Sequence, residues 1–380
     1  MLVLVAFDKF KDALDAGAAC RVTADALAAR HPDWKIDLCP LTDGGDEFCR
    51  TLTLAAGGRL ETFDVAGPRG GRVPVPLGLV EWIALSDAAR AQLDLPDLGP
   101  GATIAVVDLA SASGLALLPI AERDPWRTTT RGTGELIARA VGRGAQAVVL
   151  GVGGSATNDL GAGALAALGL RFEAGGGHEV PEPSPASWPE VVRVAGTLSL
   201  PALRIACDVS NPLLGPRGAT ATFGPQKGLR AADLPALEAG VARMAKMLAE
   251  ACGQPIGLAD QPGAGAAGGA AFGLMTAAGA RLVPGFELVS AWLDLPARVA
   301  AADIVITGEG RFDSTSFSGK APGALRQLAR NAGKKVLVFA GRTDGPGDES
   351  LHAISPPEMP LAEALPRTAE LLAAAIARVF

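Results

Sequence analysis

"AQAVVLGVGGSATNDLGAGALAAL", Ala145 to Leu168, decides the fold class. Its apolar run, Ala147 to Leu150, is too short for a helix and stops at glycine, which predicts a buried strand. Glycines follow, then Ser155, Thr157 and Asn158, then an alanine–leucine stretch of helical composition. Strand, glycine turn and helix in that order are the building unit of an α/β layered fold. Gly151, Gly153 and Ala156 fit the G-x-G-x-x-G/A spacing of a dinucleotide site, with Glu173 placed for a ribose. A second reading is a turn whose N–H groups and hydroxyls hold phosphate at a helix start. A third is a capped helix packed closely on a sheet.

The same alternation continues outward. "LVLVAFD" at Leu2–Asp8 is a short apolar strand ending in an acid, followed by a helical pattern from Asp12 to Arg30. "KIDLCPLTDGG" is a second strand feeding a turn. At the far end, "ADIVITGEG" and "KKVLVFAG" read as buried strands around a helix at Pro322–Ala332. "HAISP" adds a last short strand before a helix from Leu361 to Phe380. Between the ends, Arg59–Val80 alternates like a hairpin around Gly-Pro turns. Both chain ends therefore combine into one discontinuous domain, residues 1–60 plus 285–380. Its five parallel strands suffice for a flavodoxin-like open sheet. A second α/β domain, residues 61–284, is inserted and carries the GVGGSATND and ACDVSNPL motifs.

Composition narrows the function. In 380 residues, 49% hydrophobic and 19% charged, a globular chain of roughly two domains is expected. The net charge of −6 and the lack of tyrosine leave no footprint for nucleic acid or an anionic membrane. Pro262–Ala280 is uncharged but made mostly of Gly and Ala, which gain little from lipid, so it reads as a packed loop and helix. Five scattered cysteines without a C-x-x-C, and the absence of a signal peptide, point to the cytoplasm.

Chemistry-bearing residues cluster after the strands, where open parallel sheets bind ligands. "FDKFK" carries Asp8, Lys9 and Lys11; "TDGGDE" carries Asp43; "ITGEGRFDSTSFSGKAPG" carries Glu309, Asp313 and Lys320. The last lacks the spacing of a Walker loop. Acids and hydroxyls without histidine suit Mg²⁺ and phosphate better than zinc. "RIACDVSNPL" ends a strand in Asp208, and "FGPQKG" offers Lys227. Each also has a structural reading, as a helix cap or a solvated turn. In "RTTTRGTGELI", Thr130 and Thr133 read as caps with Glu135 in the first turn.

Taken together, "AFDKFKDALDA", "LTDGGDE", "TTTRGTGELI", "GVGGSATNDLGAG", "ACDVSNPLLGPRGATATFGPQKG", "GAGAAGG", "ITGEGRFDSTSFSGKAPG" and "ISPPEMPLAEAL" resemble, in order, the bacterial glycerate kinases. The resemblance implies phosphorylation of D-glycerate, usually at the 2-hydroxyl, with ATP and Mg²⁺. It also implies a flavodoxin-like domain and an inserted restriction-endonuclease-like one. Within that reaction the expected catalytic residues are Asp208 (as base), Asp8 and Lys11. Gly153, Gly154, Ser155, Thr157, Asn158, Lys227 and Lys320 are expected on nucleotide phosphates, and Asp43, Glu309 and Asp313 on the metal. The partners are then glycerate and ATP, with a homo-oligomer left open. The chain departs from the family pattern at Lys9, Asp46, Asp108 and Arg131. Lys9 and Arg131 are expected to put positive charge near the acceptor. Against this stand an NAD-dependent oxidoreductase and a non-catalytic sugar-acid sensor. Asp159, an acid beside the supposed pyrophosphate, weakens the first.

Overall fold

A computed structural model describes residues 1–313, 316, 321–343 and 348–380. The chain is mixed α/β and divides into two compact units, Met1–Asp43 with Val289–Phe380, and Gly44–Leu288. In chain order the strands are β1 Leu2–Phe7, β2 Lys35–Leu38, β3 Arg59–Ala66, β4 Arg72–Glu81, β5 Thr103–Asp108, β6 Ala147–Gly151 and β7 Arg171–Ala174. They continue with β8 Val191–Ala195, β9 Ala202–Ala206, β10 Arg281–Val283, β11 Ile304–Phe312, β12 Lys335–Thr343 and β13 Leu351–Ala353.

The division falls at 43/44 and 288/289 rather than at 60/61 and 284/285. Residues 44–60 go with the second unit because helix Phe48–Ala55 buries Phe48, Cys49 and Leu52 and packs on β4 and β5. That affinity is tertiary and leaves no mark in the local sequence.

In the first unit the sheet order is β13-β12-β11-β1-β2, with every pair parallel. Counted within the unit this is 2-1-3-4-5, one of the doubly wound orders. Register explains the continuous apolar runs. Val3 pairs Ile304, Val5 pairs Ile306, and Ile306 pairs Leu337. Those side chains form one core with Ala19, Cys20 and Leu27 of helix Ala16–Arg30 and with Leu372 and Ile376 of helix Thr368–Val379. The intervening Leu4, Val305 and Val338 are equally buried, and helix Ala321–Asn331 packs on β11 and β12. A strand covered on both faces has no polar face to alternate with.

Two helices differ from expectation at their ends. The first starts at Ala16, not Asp12, because the Asp15 carboxylate accepts the Ala18 N–H at 2.6 Å while Phe10–Leu14 close a tight turn. The last is split into Leu361–Ala364 and Thr368–Val379. Pro366 has no N–H to continue the ladder.

The second unit holds a six-stranded sheet, β10-β9-β6-β5-β4-β3, in which β10, β9, β6 and β5 pair in parallel and β4 runs antiparallel to both β5 and β3. A separate hairpin pairs β7 with β8. Residues Ala270–Thr276 of helix Ala270–Ala278 are all buried, which accounts for the uncharged Pro262–Ala280 stretch. Asp108 caps helix Leu109–Ser113 through the Ser111 N–H at 2.8 Å and also accepts the Cys49 N–H at 3.1 Å. No helix among the described residues is long and apolar enough to cross a membrane.

Gly308 lies between Phe7 and Phe339 in the register of the first sheet, and a Cβ there would run into the Phe339 carbonyl oxygen. Gly308→Ala should therefore lower the melting temperature, by the equivalent of about 1–3 kcal/mol of overpacking. An unchanged thermal melt would contradict this close approach.

Candidate functional site

β6 ends at Gly151 and the chain turns at once. Gly154 adopts φ +71°, a left-handed conformation that suits glycine. The Gly153 N–H donates to the Gly44 carbonyl at 3.0 Å, and the Leu115 N–H donates to the Gly154 carbonyl at 2.9 Å. A side chain on Gly153 would come within 2.9 Å of Gly45; one on Gly154, within 3.3 Å of Asp46 Oδ1. So the "TDGGDE" turn and the "GVGG" turn lie against each other, about a hundred residues apart in sequence. Asp46, noted in sequence only as a departure from the family pattern, sits beside Gly154.

The expected helix start at Ser155–Asn158 is absent; the helix spans Ala162–Ala167. The dipole of that helix therefore begins beyond the turn. The dinucleotide pattern fails with it, since the G-x-G-x-x-A run ends at Ala156 before any helix begins. Glu173 lies on the separate β7–β8 hairpin, paired with Arg171 and Arg193.

Instead, Ser155–Asp159 turns inward. Gly154 is exposed and Gly153 half-buried, whereas Ser155, Thr157, Asn158 and Asp159 are buried. Lys227, only 1% exposed, donates from Nζ to Ser155 Oγ at 2.9 Å and to the Thr157 carbonyl at 2.6 Å. Ser155 and Lys227, expected on phosphate, thus bind each other. Asn158 donates to Thr220 Oγ1 at 3.1 Å. The Asp159 carboxylate accepts the Thr130 N–H and hydroxyl, both at 2.8 Å, and the Gly161 and Gly163 N–H groups at 3.1 and 3.2 Å. Thr130 therefore serves Asp159 rather than capping its own helix with its side chain. Thr157 Oγ1 and Asn158 Oδ1 are buried without a hydrogen-bond partner among the described residues, which leaves both able to take another bond.

The first unit holds the other constellation. A cavity of about 510 Å³ is lined by Asp8, Lys9, Lys11, Asp43 and Glu309, with Arg311 and Arg342 at the ends of β11 and β12. Asp8 follows β1 and Glu309 lies on β11, the neighbouring strand. After β1 the chain goes to one side of the sheet and later returns on the other, so this is the switch point where such sheets bind ligands. Burial, then the charge of Asp43 and more weakly that of Glu309, push the Asp8 carboxyl up to about 8, against the opposing effect of Lys9. Its Oδ1 accepts the Lys9 N–H at 2.7 Å, and Lys9 Nζ is 3.9 Å from Asp43 Oδ1.

Other expected residues are placed elsewhere. Asp208 Oδ1 accepts the Gly285 and Phe286 N–H groups, at 2.7 and 3.1 Å, and so caps the helix beginning at Gly285. That is its structural reading, and it engages one of the two carboxylate oxygens. Asp313 does not line the cavity; it faces Arg311 at 3.6 Å, and its N–H donates to Ser316 Oγ. Lys320 lies outside the described residues. Arg131 is held in the second unit by Glu135 at 3.1 Å and the Pro181 carbonyl at 2.9 Å. Arg342 was missed in sequence, because only strand order brings the end of β12 to this cavity.

Among the described residues no group of three or more His, Cys, Asp or Glu is gathered tightly enough to cage a metal. Mg²⁺ does not require such a cage, since it commonly takes one or two carboxylates and leaves the rest to water and phosphate. Asp43 and Glu309, whose charges converge on Asp8, are hard-oxygen donors of that kind.

Burial lowers the Lys227 ammonium from 10.5 to about 7, opposed by the charge of Asp159. Between those values the unfolded chain holds more protons than the folded one, so this group makes stability rise with pH. The stability difference between wild type and Lys227→Met should therefore grow in favour of wild type from pH 7 towards pH 10. Urea unfolding at both ends of that range checks it. A pH-independent difference would contradict the burial of a titrating ammonium here.

The comparisons with known proteins bear on the whole chain. Residues 3–380 match the model of the glycerate kinase family. A glycerate kinase of Bacillus subtilis (strain 168) is 38% identical, covering 98% of this chain and 95% of that protein. A glycerate 2-kinase of Escherichia coli (strain K12) is 35% identical, covering 93% and 89%. A crystal structure described as glycerate kinase 2 from Salmonella typhimurium LT2 superposes with a TM-score of 0.78 at 34% identity, covering all of this chain and 97% of that one. The chain belongs to the glycerate kinase family.

Proposed function

We propose that the protein transfers the γ-phosphoryl group of ATP to the 2-hydroxyl of D-glycerate, giving 2-phosphoglycerate and ADP. The observation that carries this is the switch-point cavity, where a buried acid with a raised pKa stands among two further carboxylates and two lysines. Family membership and the glycerate 2-kinase among the relatives support the substrate and its position.

Lys11 offers its ammonium to the glycerate carboxylate, and Lys9 adds positive charge beside it. Asp8 orients the reacting hydroxyl and accepts its proton as the oxygen–phosphorus bond forms and the bond to the ADP oxygen breaks. Asp8 replaces Asp208 in this role because the latter is committed to a helix cap. The backbone of the exposed Gly154, with the Thr157 hydroxyl, holds phosphate oxygens, while Gly153 keeps its N–H on the Gly44 carbonyl. Asp43 and Glu309 would hold Mg²⁺, which would neutralise phosphate charge. Its presence would also favour the ionised form of Asp8. The five cysteines are free, which suits the reducing cytoplasm as the place of action.

Coupled detection of ADP with D-glycerate, ATP and Mg²⁺, followed by phosphorus NMR of the product, tests the reading. A phosphomonoester on the secondary carbon is expected; a 3-phosphate, or no ADP release, would overturn it. Asp8→Asn keeps the bond from the Lys9 N–H and should cut kcat by ~10²-fold or more. Gly154→Val places a β-branched residue at positive φ and should raise the KM for ATP by about tenfold with a smaller change in kcat. Wild-type kinetics in either variant would remove that residue from the account.

A further inference from the structure

The second unit holds a larger cavity, about 720 Å³, that no step above uses. This is an ordinary size for a small-molecule site. Its walls come from three separate stretches: Arg69 between β3 and β4, Ala121 to Trp126, and Gly228 to Asp233. We propose that this cavity binds a phosphate monoester, gripped by the guanidinium groups of Arg69 and Arg123 against the indole of Trp126.

Two of the three acids lining the cavity are engaged elsewhere, and among the described residues neither Arg69 nor Arg123 is paired with a carboxylate. Of the acids lining the cavity, Asp233 is taken by Arg230 at 2.6 Å. Asp124 accepts the Trp126 N–H at 3.0 Å and faces Arg127, outside the lining, at 3.7 Å. Glu122 meets Arg69 through its main-chain carbonyl, at 3.1 Å. Arg123 reaches only the Gln226 carbonyl, at 3.5 Å, and its Nε is buried with no hydrogen-bond partner among the described residues. Two guanidinium groups thus donate to neutral carbonyls while one buried N–H goes unused. A buried donor left unsatisfied is costly, and a planar fork of donors matches phosphate oxygens geometrically. The indole adds a flat apolar wall for the rest of the ligand. Gly228 packs against the Arg123 carbonyl and directly follows Lys227, so the cavity shares its backbone with the group that holds the glycine turn.

The chemistry is shared by the product of the proposed reaction and by a nucleoside monophosphate, and the test separates them. It does not rest on the kinase reading, because binding is read without turnover. The full-length protein is titrated with 2-phosphoglycerate, with AMP and with inorganic phosphate at constant ionic strength, against sodium chloride as control. The signal is the tryptophan fluorescence that disappears in Trp126→Phe. Saturable binding of 2-phosphoglycerate or AMP is expected, the tighter of the two identifying the source. Arg69→Gln/Arg123→Gln should weaken it by at least about tenfold, with kcat and melting temperature near wild type. Arg123→Lys, which keeps the charge but loses the fork, should fall between and serves if the double variant folds poorly. A Trp126 response no larger than with sodium chloride would overturn the proposal. So would binding indifferent to the arginine variants, or binding abolished competitively by ATP, which would make the cavity part of the nucleotide site.

Discussion

An ammonium group shut away from water organises the second unit. Lys227 reaches Ser155 and the Thr157 carbonyl, and the charge of the buried Asp159 acts on it from the same segment. Burial disfavours the charged form of both groups, lowering the pKa of Lys227 and raising that of Asp159, and the hydrogen bonds around them offset that cost. Asp159 in turn gathers four donors from Thr130, Gly161 and Gly163. The consequence is a rigid inward loop whose visible part is two glycines. The hydroxyls and the lysine that look like ligands in the sequence are mostly the frame that presents Gly153 and Gly154.

In the first unit, topology rather than a buried pair does the placing. Parallel strands β1 and β11 lie side by side although three hundred residues separate them, and the Phe7–Gly308 pairing sets Asp8, just past β1, level with Glu309 on β11. Burial first, and then the nearby charges of Asp43 and Glu309, raise the proton affinity of Asp8 there. A crowded group of carboxylates gives no stability to a fold; it suits a site that receives cationic charge and a hydroxyl proton.

The sequence was most legible where local pattern and global fold agree. Runs such as Leu2–Phe7 and Ile304–Ile306 are apolar throughout because both faces of the sheet are covered, and they read directly as buried strands. The acids after them were legible as site candidates for the same reason. Legibility failed where long-range contacts decide. The helix expected at Ser155 is displaced to Ala162 by the pull of Lys227 and Thr130. Asp208, at a strand end beside a turn, gave no sign that Gly285 and Phe286 would claim its oxygen. Helix Phe48–Ala55 follows the first-unit strands in sequence yet packs on β4 and β5.

The proposed catalysis turns on Asp8 and its neighbours receiving glycerate. A crystal structure of the protein with D-glycerate bound tests this most directly. Glycerate should lie at the carboxyl ends of β1 and β11, its carboxylate on Lys11 and its 2-hydroxyl within about 2.6–3.2 Å of Asp8, the reach needed for proton transfer. Glycerate bound away from Asp8, with that carboxylate untouched, would contradict it.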